Sequence, residues 1–369
     1  MPNYNRSHTR FLALAGTAAL GVAAYAAAYR FALRYREKAG LPHPSTVAST
    51  PDEFGLAFEP VEIPSGDAML AGWLIPAVPA PKRRRTKAAA AADGSAQIPA
   101  VEPRPGIVIV HGWESNRGRS LAHARYLHAA GFHCLVIDVR GHGDNPPESL
   151  PINVPEFADD AAAAARWLAA RPEVSAVGLL GHSMGGAGVL VAASREPLVG
   201  AVVSASAPAD LVRMTRKTFE LADMDVPDVI GWPLALVTAG VMLAPRRRTL
   251  AEASAVIAAR RYRGPLLLAH GAGDRGVPVG HLELIARAAT DARDEHDPPV
   301  DTLVLPDFGH RWLFESPEFR RRVAHFFADA LGGPFHPDEA AALAKACEVE
   351  RPAEPGRGFG ALPNPALPA

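Results

Sequence analysis

From Gly106 onward the chain alternates short apolar runs with longer amphipathic or alanine-rich stretches, and that alternation leaves few folds open. The runs are residues 107–110, 134–139, 176–180, 201–204, 266–269 and 302–305. Each is too short for a typical globular helix and too uniformly apolar for a strand with one wet face, so each reads as a strand covered on both sides. The stretches between them, 119–130, 155–170, 185–194, 279–289 and 317–331, carry helical spacing. Strands and helices of this size in alternation build βαβ units around a parallel sheet. Upstream, residues 56–63 and 69–75 flank Ser65-Gly66-Asp67, which predicts a hairpin and brings the total to about eight strands.

One interval is too long for a crossover. Residues 208–264 are mostly helical in pattern, and a sheet of this kind carries such an insertion as a cap over its C-terminal edge. Within the cap, residues 229–244 are nearly all apolar and lead into Arg246-Arg247-Arg248. That suits a lid helix packed on the body, or one that also dips into a bilayer surface, while Pro233 and Gly240 argue against a straight membrane span. The catalytic body is expected over residues 41–332. Within it, residues 77–105 are rich in Pro, Ala and basic side chains and read as a disordered insertion. The Lys82-Arg83-Arg84-Arg85 run there reads as a solvated loop, with anionic lipid as the alternative contact. Residues 333–369 form a Pro-rich tail expected to fray.

Residues 1–40 stand apart. Residues 11–29 hold no charge and, at about 1.5 Å per residue, span about 28 Å of hydrocarbon as a helix. Tyr25 and Tyr29 sit at its C-terminal end, where amphipathic rings favour an interface, and Arg30, Arg34, Arg36 and Lys38 follow. The segment therefore reads as a single-pass anchor, with membrane lipid as a partner and the cation bias favouring a cytoplasmic body. The competing reading is a cleaved signal peptide, with Arg6 and Arg10 as its positive region and small residues near Ala26 as its cut site. A formal net charge of −1 gives no basic face for nucleic acid. Two cysteines do not make a disulfide framework, and no metal cluster is expected.

The chemistry centres on Gly181-His182-Ser183-Met184-Gly185, a G-x-S-x-G string set between a buried strand and a Gly-opened helix. A tight strand-to-helix turn thrusts its serine up at the sheet edge, and glycines are needed where backbone and helix approach too closely for a Cβ. A serine hydroxyl is a poor nucleophile at neutral pH, so it needs a base, and the base needs a carboxylate to fix its tautomer. Of the fourteen histidines, His310 follows an apolar strand in the loop Pro306-Asp307-Phe308-Gly309-His310 and is the expected base; His281 and His325 fall on predicted helices, and His296 and His336 lack this setting. Asp274, in His270-Gly271-Ala272-Gly273-Asp274 after the strand at 266–269, is the expected acid. Asp210 is held in reserve, and Asp307 is too near His310 in sequence. The oxyanion donors are expected to be two backbone amides, those of Met184 and of Trp113 in His111-Gly112-Trp113.

Taken in order, His111-Gly112-Trp113, Asp138-Val139-Arg140-Gly141-His142-Gly143, the G-H-S-M-G-G elbow, the H-G-A-G-D turn and the F-G-H loop resemble the α/β-hydrolase superfamily, particularly its serine aminopeptidase and monoacylglycerol-lipase-like branch. The resemblance spans residues 106–310. It implies an α/β-hydrolase fold with a mostly parallel eight-stranded sheet, helices on both faces and a helical cap, no cofactor, and hydrolysis of an ester, thioester or amide. It also implies that the loop 138–143 buttresses the site. The chain lacks the H-G-G-G string of one lipase group and the H-G-G-P-G string of proline-directed peptidases. The expected activity is a serine hydrolase acting on a small-molecule ester or acyl substrate through an acyl-enzyme. The alternatives are an aminopeptidase-like amidase, a thioesterase or acyltransferase, or a hydrolase-shaped scaffold without activity. Oligomeric state is not legible.

Overall fold

Eight strands join in one sheet of order β1-β2-β4-β3-β5-β6-β7-β8, in which every neighbouring pair from β4 onward is parallel and only β2 runs against the rest. This computed structural model describes residues 4–43, 45–77 and 102–351, with side chains from residue 19 onward. In chain order the elements are α1 (Tyr4–Ala39), β1 (Glu59–Ser65), β2 (Ala68–Ile75), β3 (Arg104–Val110), α2 (Leu121–Ala129), β4 (His133–Ile137), α3 (Val154–Ala169), β5 (Val174–His182), α4 (Met184–Ala193) and β6 (Val199–Ala205). There follow α5 (Leu211–Leu221), α6 (Asp228–Leu243), α7 (Ala255–Arg261), β7 (Leu266–Gly271), α8 (Gly280–Thr290), β8 (Val300–Leu305), α9 (Pro317–Leu331) and α10 (Pro337–Ala346).

The continuous apolar runs are what a doubly covered sheet requires. β3, β4 and β7 are buried at every residue, because α3 and α4 close one face and α2 and α9 the other. Two apolar clusters result. One gathers Val108, Val110, Leu135, Phe157 and Leu179 with inward residues of the cap, and the other gathers Ile107, Ile109, Phe132, Phe319 and Phe327. Helix starts follow local chemistry: Asn153 and Glu156 form a capping box on α3, and the Ser316 hydroxyl accepts from the Phe319 amide at the start of α9.

The structure departs from the sequence reading at two borders. β3 begins at Arg104, inside the span expected as disordered insertion, because Arg104 continues the ladder to Val174; residues 78–101 of that insertion lie outside the described residues. The tail does not fray at once. Residues 337–346 form α10, which buries Ala340, Ala341 and Ala344, while Arg320 of α9 donates to the carbonyls of Ala344 and Lys345 at 3.2 and 3.1 Å. Residues 352–369 lie outside the described residues.

A buried ion pair ties the loop after β4 to the body. Arg140 reaches Asp160 of α3 with Nη2 at 2.6 Å and with its backbone N–H at 2.8 Å, and Ser65 at the end of β1 donates to the same carboxylate at 2.7 Å. Burial pushes the Asp160 carboxyl up, against the pull of Arg140. Removing the cation leaves that carboxylate uncompensated. Arg140→Leu is expected to cost about 3–5 kcal/mol of stability, seen as a lower urea midpoint at unchanged slope; a loss under about 1 kcal/mol would show the pair to be dispensable.

Candidate active site

β5 ends at His182, and Met184 opens α4 one residue after Ser183. The turn between them forces Ser183 to φ 56° and ψ −122°, a conformation that costs a non-glycine residue about 1–3 kcal/mol. Two backbone hydrogen bonds hold it there: Ser183 N–H donates to Ala205 of β6 at 2.8 Å, and Ala187 N–H donates to the Ser183 carbonyl at 3.1 Å. The glycines on either side are a packing requirement. A Cβ on Gly181 would lie 2.2 Å from the Gly185 carbonyl oxygen, and one on Gly185 would lie 2.3 Å from that of His111.

The structure brings the three expected side chains together from the ends of three strands. His310 Nε2 lies 3.0 Å from Ser183 Oγ, and His310 Nδ1 lies 2.7 Å from Asp274 Oδ2. The turn after β7 and the loop after β8 are laced to one another, with Ala272 N–H donating to Leu305 and Gly273 N–H to Phe308, both at 2.9 Å. Asp274 is fully buried at its side chain. Its Oδ1 accepts from the amides of Gly276 and Val277 at 2.9 and 2.8 Å. Oδ2 accepts from His310 and, at 3.3 Å, from His270 Nε2. Burial alone would raise this carboxyl; the hydrogen bonds from His270, His310 and the Val277 amide outweigh it and hold the group below the ordinary carboxylate range. With Asp274 ionised, the proton of a neutral His310 sits on Nδ1 and its free lone pair on Nε2 faces the serine hydroxyl.

Three further histidines surround this chain of contacts, in roles that spacing along the chain does not reveal. His182, beside the serine, donates from Nε2 to the carbonyl of His310 at 2.7 Å; burial, reinforced by the nearby His310, pushes it down to about 3, so it stays neutral. His270, beside the acid, shares its one Nε2–H between the Val277 carbonyl, the nearer at 2.7 Å, and Asp274 Oδ2 at 3.3 Å. His111 accepts the Val139 amide on Nε2 at 3.1 Å, so its Nδ1–H donates to the Gly112 carbonyl at 2.7 Å. Burial pushes His111 down to about 4 and keeps that tautomer neutral. Because carbonyl and N–H point opposite ways in a trans peptide, pinning the Gly112 carbonyl also fixes the heading of the Trp113 N–H. Gly112 stands against the serine, since a Cβ there would meet the Ser183 Cβ at 3.1 Å. Met184, the other expected donor, is the first residue of α4, where amides lack intrahelical partners.

The loop expected to buttress the site is heavily tied. Asp138 accepts the Arg117 amide at 2.6 Å and the Asp144 amide at 3.0 Å, Asn145 donates to the carbonyls of Asp138 and Val139, and the His142 ring packs edge-on against Trp113 at 5.3 Å. The set-aside candidates lie in other roles. Asp210 caps α5 by accepting the Arg213 amide at 2.8 Å, Asp307 is exposed, and His281 accepts the Ala209 amide at 2.9 Å. His325 lies 3.6 Å from Asp338 on α10, and His336 caps that helix.

A carboxyl held below its unfolded value contributes stability that is fully present above about pH 4 and is lost as pH falls further. The difference in unfolding free energy between the wild type and Asp274→Asn is therefore expected to be flat from neutral pH to about 4 and to shrink below it. A difference that grows on acidification would contradict the assignment.

The family described as Serine aminopeptidase, S33 matches residues 101–227. Protein ABHD12B of Homo sapiens is 26% identical over 231 residues, covering 61% of this chain and 60% of that protein, so the chain spans about three-fifths of the length of this relative. Monoacylglycerol lipase of Mycolicibacterium smegmatis is 28% identical over 251 residues, covering 60% of this chain and 85% of that one. Among solved structures, the Pyrococcus furiosus esterase Pf2001 aligns with a TM-score of 0.58 at 20% identity, over 79% of this chain and 98% of its own. The Pyrococcus horikoshii acylaminoacyl peptidase aligns with a TM-score of 0.54 at 16% identity, over 77% of this chain and 44% of its own. With its strand order and cap, the chain has the α/β-hydrolase fold of these structures, and its sequence is similar to serine hydrolases of the esterase, lipase and peptidase type.

Proposed function

We propose that the protein is a membrane-associated carboxylic-ester hydrolase in which Ser183, His310 and Asp274 act as one catalytic unit. The observation that carries this reading is the unbroken line of contacts from Ser183 Oγ to His310 Nε2 at 3.0 Å and from His310 Nδ1 to Asp274 at 2.7 Å. Ser183 Oγ attacks the ester carbonyl carbon while its proton passes to His310 Nε2. Asp274 keeps the ring aligned and stabilises the imidazolium that forms. The carbonyl oxygen becomes an oxyanion facing the amides of Met184 and Trp113, each worth roughly 3 kcal/mol in acyl-transfer sites. Collapse expels the alcohol, which takes the proton from His310 and leaves an acyl-Ser183 ester. Water then repeats the sequence, giving up its proton to His310 and releasing the acid and the free serine.

The preference for esters draws on the relative named monoacylglycerol lipase and on the esterase whose fold the chain shares. Apolar side chains at the site point the same way: Trp113 and Met184 join one apolar cluster with Ala239 and Met242 of the cap. The anchor reading gains support from the shape of α1. It is helical without a break through residues 26–28, where a signal cut would need extended chain, and from Phe31 onward it packs on the cap. The second reading, an aminopeptidase-like amidase, is favoured by the family description and by the peptidases that share the fold. Esters of medium acyl chains are expected to show kcat/KM at least about 100-fold above matched aminoacyl anilides, and the reverse order would select the amidase.

Ser183→Ala is expected to lower kcat about 10⁶-fold and to abolish labelling by a fluorophosphonate probe, with Asp274→Asn lowering kcat by about 10⁴. A folded wild type that resists the probe would instead support a scaffold. Trp113→Phe is expected to keep kcat within about tenfold, because the donor is main chain; a loss of 10²–10³ would place the oxyanion contact elsewhere.

A further inference from the structure

Helix α6 has two apolar sides, and the fold uses one. Gly231, Ala235, Thr238, Ala239 and Met242 turn inward and are buried. On the opposite side Val229, Ile230, Trp232 and Leu236 are 80%, 56%, 42% and 50% exposed, and no charged residue interrupts the helix after Asp228. Scattered exposed apolar side chains are ordinary, but a continuous row of four that includes a tryptophan marks a contact surface.

The position of α1 identifies the partner. Phe31 and Tyr35 meet Phe219 of α5 edge-on at 5.6 and 5.9 Å, and Arg216 of the same helix pairs with Asp228, at the start of α6, at 2.9 Å. Further along, Arg36 donates to the Val241 carbonyl at 3.5 Å, near the end of α6. Gly40 and Arg246 then bind one segment, the Gly40 carbonyl accepting from Ile152 at 3.0 Å and Arg246 donating to the Pro151 carbonyl at 2.8 Å. The two helices thus run side by side in the same direction, and α1 leaves the body at the end of α6 that carries Val229, Ile230 and Trp232. From residue 27 back to residue 19, α1 is exposed on every side. This stretch belongs to the uncharged run 11–29, and the exposed cations Arg30, Arg34 and Lys38 follow at the level suited to lipid phosphates.

The segment Asp228–Arg246 is long and apolar enough to cross a membrane. Its place in the fold forbids that. One face is buried against the body, and the far end is fastened by Arg246 to Glu148 at 2.6 Å and by Arg248 to Glu156 at 3.0 Å. Such a helix rests on a bilayer rather than spanning it.

We infer that the Val229, Ile230, Trp232 and Leu236 face of α6 is a second membrane contact, seated in the headgroup and acyl boundary of the bilayer that α1 enters. The inference takes its orientation from the reading of α1 as an anchor. It deepens the proposed function, because it holds the cap at the lipid surface and makes acyl lipids already in the bilayer the accessible substrate class.

The test uses the full chain reconstituted in phosphatidylcholine and phosphatidylglycerol vesicles. An environment-sensitive fluorophore is attached at Ile230→Cys, Leu236→Cys, Leu20→Cys or Asp294→Cys in a Cys347→Ser background, Cys134 being buried. At a depth of about 5–10 Å, nitroxide-bearing lipid is expected to quench the probes at 230 and 236 about twofold, to quench the probe at 20, and to leave the exposed probe at 294 unchanged. Quenching at 20 without quenching at 230 and 236 overturns the cap contact while keeping the anchor. Quenching at 230 and 236 without quenching at 20 keeps the cap contact and removes the anchor. No quenching at any of the three overturns both. A blue shift at 230 that follows protein concentration, with no response to nitroxide lipid, assigns the face to a second copy of the chain and overturns the inference.

Discussion

A carboxylate with no exposed surface stays ionised because every direction it faces holds an N–H. Two amides of its own turn satisfy one oxygen of Asp274, and two imidazoles converge on the other. Without those donors, burial would neutralise the group, His310 would lose the charge that selects its tautomer, and the lone pair on Nε2 would no longer be directed at Ser183. Under the proposed mechanism Ser183 is thus set by a carboxylate two contacts away, on a different strand end. The parallel sheet makes this possible: β5, β7 and β8 end at one edge, and each delivers one member.

The remaining imidazoles act on backbone. His182 holds the carbonyl of His310, His270 holds that of Val277, and His111 holds that of Gly112. Burial pushes His111 and His182 well below the ordinary histidine value, so both remain neutral donors through the physiological range. His182 directly precedes Ser183, His111 lies two residues before Trp113 and His270 four before Asp274, so the site is stiffened by side chains near in sequence to the groups of the proposed mechanism. The strain at Ser183 is held the same way, by the β6 carbonyl of Ala205 and by glycines that leave room for backbone.

Sheet and site were legible in the sequence to different depths. The strands at 107–110 and 266–269 stand out because burial on both faces leaves no polar position to break the run. Ser183, Asp274 and His310 stand out because each follows an apolar run in a glycine-bearing turn, although the run before His310 is the half-exposed edge strand β8. The work of His111, His182 and His270 was not legible, since it is defined by partners that spacing along the chain does not reveal. Arg246 and Arg248 illustrate the same limit. As a basic run after an apolar stretch they reveal no partner, yet they pair with Glu148 and Glu156, about a hundred residues upstream. Helix α10 was missed because proline-rich surroundings masked three alanines at helical spacing, Ala340, Ala341 and Ala344.

In the proposed function the cap and α1 hold this centre at a lipid surface, and the line of contacts from Asp274 to Ser183 gives that placement its purpose. The most direct test of that line is the protonation of the His310 ring, read by nitrogen-15 NMR on histidine-labelled protein at mildly alkaline pH. The account predicts a neutral ring carrying its proton on Nδ1, with a low-field proton resonance that disappears in Asp274→Asn. A neutral ring protonated on Nε2 in the wild type would contradict it.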